Sequence, residues 1–175
     1  MGELIIGIDP GPEESGWAVL ETESAKVLEF GKESNSELRG RLRDSRFELK
    51  AAIIEFTPPY AMVMRKTKKN KTPRVHIPRQ VVDTAIEIGR FIEVAEASVI
   101  AHELLHRQAI KTQLLTRTLG NDSLMIDALC DRYGGDRKSA KGTKKQPGPL
   151  FGMNKDAWQA LAVARAWWEL TGGRW

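Results

Sequence analysis

The first residue placed to do chemistry is Asp9. It closes the apolar run Leu4-Ile5-Ile6-Gly7-Ile8 and is followed at once by Pro10-Gly11-Pro12. A strand that ends this way holds its last side chain at the carboxyl edge of a sheet, where catalytic groups of α/β proteins often project. A carboxylate there is a hard oxygen donor suited to Mg²⁺, an ion that keeps several of its waters. The same residue also fits a plain Asp-Pro-Gly turn, in which the side chain bonds its own backbone. A second acid, Asp156, falls in the first turn of a helix expected over residues 154–170. The helix dipole alone accounts for an acid at that point. Gln159 follows three residues later and shares its helical face.

Two basic runs are concentrated along the chain, one directly after the apolar run Tyr60–Met64 and one just before Asp156. The first holds Arg65, Lys66, Lys68, Lys69, Lys71, Arg74 and Arg79; the second holds Arg137, Lys138, Lys141, Lys144, Lys145 and Lys155, just before Asp156. A charge run is commonly only a solvated surface. Two concentrated runs fit phosphate neutralisation instead, the sequence-independent source of DNA affinity.

Strands are expected at Leu4–Ile8, Trp17–Leu20 and 26–31, separated by Pro/Gly turns. Apolar residues near helical spacing (Leu38, Leu42, Phe47, Leu49, Ile53, Ile54) predict a helix from Leu38 to Phe56, ended by Pro58-Pro59. Tyr60–Met64 then reads as a short buried strand. Helices are expected over 80–97, 107–119 and 123–133, a further strand over 98–101, and a Gly/Lys/Pro-rich loop over 134–152. Strands first, then helices mixed with a strand, indicate a layered α/β domain.

The chain has 175 residues and a net charge of +4, enough for one domain (1–175) with a real core. Its single cysteine, Cys130, excludes an intramolecular disulfide and a Cys-based zinc site; the pattern Leu124, Ile126, Leu129, Cys130 predicts a buried helix thiol. No apolar stretch approaches the roughly 20 residues that span a bilayer. The start Met1-Gly2-Glu3-Leu4 lacks the basic region of a signal peptide, so a cytoplasmic protein is expected.

The run Ile5-Ile6-Gly7-Ile8-Asp9-Pro10-Gly11-Pro12-Glu13-Glu14-Ser15-Gly16-Trp17-Ala18-Val19 resembles the first motif of the RuvC family of Holliday-junction resolvases, particularly its phage and prophage members. Three later segments continue the resemblance in order: Thr84 to Phe91, Arg107 to Lys111, and Gly148 to Gly152 followed by Asp156 to Ala162. The resemblance implies an RNase H-like α/β fold, a mixed central sheet flanked by helices. It makes Asp9 a catalytic metal ligand and assigns Asp156 and Gln159 to two metal positions on the last helix. The second of these is commonly Asp, so Gln159 is a departure that lowers charge and metal affinity. Arg107 and Lys111 match a basic DNA-contact segment. The implied activity is Mg²⁺-dependent (or Mn²⁺-dependent) cleavage of four-way junctions by a homodimer, with the helix over 80–97 as the candidate dimer face.

The family also carries a Glu near the end of the strand after the first long helix. If that strand is Tyr60–Met64, it holds no acid, and Met64 (or Met62, on the same face) stands in the place. A thioether is a poor ligand for Mg²⁺. Three accounts are open: a catalytically impaired chain that binds junctions without cutting; another carboxylate, such as Glu55 or Glu87, reaching in; or a strand placed elsewhere in the sequence. An actin-like ATP-binding fold also puts Asp before a Gly turn, but it needs two such domains and 175 residues leave no room.

Overall fold

A computed structural model describes residues 2–44, 48–58, 77–115 and 120–174. Three strands come first: β1 (Leu4–Asp9), β2 (Glu14–Glu21) and β3 (Val27–Ser34). They pair as an antiparallel meander. The helix α1 (Asn35–Arg43) starts at a capping box, in which Ser34 Oγ accepts from Glu37 N–H and the Glu37 carboxylate accepts from Ser34 N–H. Next comes β4 (Leu49–Phe56), parallel to β1, and then α2 (Arg79–Ala97). The strand β5 (Ala101–His106) lies parallel to β4. Four helices close the chain: α3 (Arg107–Leu115), α4 (Asp122–Gly134), α5 (Arg137–Lys141) and α6 (Lys155–Thr171).

The sheet order is β3-β2-β1-β4-β5. Strand alternation divides the core in two. Ile5, Ala18, Leu20 and Ile53 face α3, α4 and α6, whereas Ile6, Ile8, Trp17, Val19 and Ile54 face α1 and α2. This mixed sheet flanked by helices is an RNase H-like α/β fold. Trp158 and Trp167 are core residues of α6, and Cys130 is buried in α4.

The expected helix over Leu38–Phe56 is a correction. It divides into α1 and β4, because the run Ala51-Ala52-Ile53-Ile54 is buried on both faces, as a central parallel strand must be. Periodicity alone does not separate such a run from a helix. The last strand begins at Ala101 rather than Ser98, since Ser98 ends α2 and Val99 takes a positive φ of 57°. The loop over 134–152 contains α5, capped by Asp136. The run Tyr60–Met64 lies outside the described residues. Among the described residues no helix is long and apolar enough to cross a membrane.

Candidate metal-binding active site

Three strands, β1, β4 and β5, run parallel, so their carboxyl ends meet at one rim of the sheet. Asp9 ends β1, Glu55 is the penultimate residue of β4, and Arg107 directly follows β5. The acid-bearing strand that follows the first helix is therefore β4, and its acid is Glu55. Met64, taken in the sequence to stand in that place, lies outside the described residues. Glu87 does not reach the site: it is buried on α2 between the guanidinium groups of Arg39 and Arg90.

Asp156 arrives from the opposite side, in the first turn of α6. That helix can lie close because β1 and β2 offer glycines beneath it. A Cβ on Gly7 would stand 2.3 Å from the Ala160 carbonyl oxygen, and one on Gly16 would stand 2.2 Å from that of Asp156. Gly16 is the cross-strand partner of Asp9, so Asp156 is seated one strand away from it. Asn154 caps the helix by accepting from Ala157 N–H.

The electrostatics report the convergence. Burial, then the neighbouring Glu55, raises the Asp9 carboxyl from 3.8 to about 7; Asp156 and Asp122 push the same way, and Arg107 opposes them. Glu55 is only 7% exposed. Its carboxylate accepts from Arg107 Nη1 at 2.7 Å, and Arg107 Nη2 donates to Asp122 Oδ1 at 3.2 Å. Asp156 Oδ2 lies 3.1 Å from Lys32 Nζ, which also lies 2.7 Å from Glu14 Oε2. Gln159 is buried, and its Oε1 has no hydrogen-bond partner among the described residues. Beside the acids a cleft of 320 Å³ opens, with Asp9, Glu55 and Arg107 on one side and Val81, Thr84 and Ile88 of α2 on the other.

The remaining basic candidates divide. Lys144 and Lys145 are exposed in a turn closed by the Gly142–Pro147 bridge. Lys111 is half-buried and donates to the Gly120 carbonyl at 3.0 Å, a structural use of its charge. Lys66, Lys68, Lys69, Lys71 and Arg74 lie outside the described residues; Thr57 and Gln80, on either side of that segment, both line the cleft. Sequence reasoning missed Asp122 and Lys32, and nothing short of strand register and helix packing ties either one to Asp9.

No family model matches this chain, and no curated protein matches it in sequence. Solved structures do match. A Thermus thermophilus RuvC structure is similar over 93% of this chain and 92% of its own, with a TM-score of 0.59 at 16% identity. The T. thermophilus RuvC in complex with a Holliday junction substrate is similar over 94% and 91%, with a TM-score of 0.54 at 15% identity. The fold is that of RuvC. Within this fold, Asp9, Glu55 and Asp156 come from three separate elements, β1, β4 and α6.

Proposed function

We propose that the chain is a structure-selective endonuclease that binds branched DNA, four-way junctions above all, and hydrolyses its phosphodiester bonds with Mg²⁺ or Mn²⁺. The observation that carries this reading is the buried carboxyl of Asp9 at the end of β1, raised to about 7 by burial first and by the neighbouring Glu55 second, with Asp156 adding to it. Similarity to a RuvC in complex with a Holliday junction substrate supports the choice of DNA.

The residues fit a hard divalent ion in type. Asp9, Glu55 and Asp156 are oxygen donors, and the unpartnered Oε1 of Gln159 is a neutral fourth. Among the described residues, no three acids are grouped closely enough to hold an ion as they stand. Glu55 and Asp156 are instead tied to Arg107 and Lys32. A bound ion would supply an activated water and charge for the leaving oxygen. The protein's own part is positioning: the strand ends fix Asp9 and Glu55, and the α6 cap fixes Asp156. Exposed lysines such as Lys144 and Lys145 hold the DNA backbone, and junction choice comes from shape and deformability.

A homodimer suits a substrate with near two-fold symmetry, one site to each strand. The helix α2 supports this, since Val82, Ala85, Ile86 and Gly89 form an exposed stripe along it.

A second reading keeps the binding and drops the cutting. Gln159 favours it, because a neutral donor at the second helical position weakens metal affinity. The deciding experiment incubates a labelled four-way junction with Mg²⁺ or Mn²⁺ and the native chain, Asp9→Asn and Glu55→Gln. Paired nicks from the native chain, reduced about 100-fold or more in both variants with binding retained, are expected. Tight binding without nicks in all three selects the binding protein. Loss of both binding and cutting in the native chain overturns the proposal.

A further inference from the structure

The sheet places a lysine on the same rung as the candidate site. Asp9 pairs with Gly16, and Gly16 pairs with Lys32, so the three stand side by side across β1, β2 and β3. Residues directly opposite one another project to one face. Gly16 contributes no side chain, and the first turn of α6 occupies that space. Asp156 is thereby seated over the strand that separates Asp9 from Lys32.

Lys32 has two carboxylates within reach. One is Asp156, a candidate metal ligand, at 3.1 Å; the other is Glu14, at the start of β2 and outside the ligand set, at 2.7 Å. The Lys32–Asp156 pair is open to water, with side chains 36% and 38% exposed. Ion pairs this exposed are weak, and a dication among several carboxylates carries twice the charge of an ammonium. Arg107 differs, because its partner Glu55 is only 8% exposed at the side chain. Of these two cations, Lys32 is the one that can leave more easily, and its second partner is already in place.

We propose that Lys32 is a displaceable counter-ion of the metal site, neutralising Asp156 while no divalent ion is bound and yielding to one by shifting onto Glu14. The inference rests on the reading of Asp9 and Asp156 as metal ligands. Lys32 acts through Asp156 and is a positioning residue. Because it competes with the ion, it sets the metal concentration at which the site fills.

The test measures Mn²⁺ binding to the DNA-free protein, from the loss of the free-ion electron paramagnetic resonance signal. Native chain, Asp9→Asn, Lys32→Gln, Lys32→Arg, Glu14→Gln and the Lys32→Gln/Glu14→Gln double variant are compared, each confirmed folded by circular dichroism. Lys32→Gln should tighten Mn²⁺ binding about three- to ten-fold, and Lys32→Arg should restore the native value. Glu14→Gln should weaken binding in the native background and change nothing once Lys32 is Gln, since the two act as one unit. Weaker or unchanged binding in Lys32→Gln overturns the proposal, because Lys32 is then an anchor for Asp156 or a bystander. A Glu14→Gln effect that persists in the Lys32→Gln background overturns it as well, leaving only general charge. If the native chain binds no Mn²⁺, or Asp9→Asn binds it as tightly, the metal-site reading fails first and takes this inference with it.

Discussion

Asp9 couples the candidate site to the stability of the protein. The unfolded chain titrates this carboxyl near its ordinary 3.8, and the folded chain at about 7. Between those values the folded state holds the extra proton, so stability falls as pH rises through the window and stays reduced above it. Asp9→Asn removes the titrating group. In the presence of a chelator it should be more stable than the native chain by up to about 4 kcal/mol at about pH 8, and the gain should vanish at about pH 4. Urea unfolding at the two pH values checks this. Added Mn²⁺ should narrow or reverse the difference, since the native site gains from ligand linkage and the variant does not. Residue by residue, legibility followed local context. Asp9 was legible because a strand, a carboxylate and a Pro/Gly turn are contiguous in the chain, and Asp156 because the resemblance carried it. Glu55 stands in the sequence only as one alternative, because pattern alone merges its strand with the preceding helix. Lys32 and Asp122 have no signature at all, since their meaning lies in register and in packing between distant segments.

Among the elements, α6 matters most, because it brings Asp156 to a sheet whose other acids are already fixed. Its seat depends on Gly7 and Gly16, where a Cβ would collide with backbone oxygens that have no rotamer to escape into. Gly16→Ala should cost about 1–3 kcal/mol of stability, measured as a lowered denaturation midpoint, and should reduce cleavage by more than junction binding. Equal losses of cleavage and binding would mean that the helix has shifted as a whole rather than at Asp156. Elements whose period was clean, such as β1, α2 and α6, agree with the sequence expectation to within a few residues. Fully apolar β4 could not be separated from a helix by pattern, and α5 was lost among glycines and lysines although Asp136 caps it. The core strand β4 illustrates why: burial on both faces erases the alternation by which a strand is read.

For the whole molecule, two surfaces remain to be tied to the proposed substrate. The exposed stripe on α2, with Val82 45% and Ile86 48% accessible, is the candidate dimer face. Ile86→Glu should give a monomer in analytical ultracentrifugation and convert paired nicks into isolated ones. On the other side, replacing Lys144 and Lys145 with Ala should lower the slope of log affinity against log salt by about 2, one phosphate contact each. The layout of the chain carries one more consequence. Asp9 belongs to the first strand and Asp156 to the last helix, so the candidate site needs both ends of the chain in place. A chain in which α6 has not docked therefore has no complete site. Refolding should restore a Trp158 and Trp167 fluorescence change no later than it restores the proposed cutting, so that the site is completed only by the last element of the chain to dock.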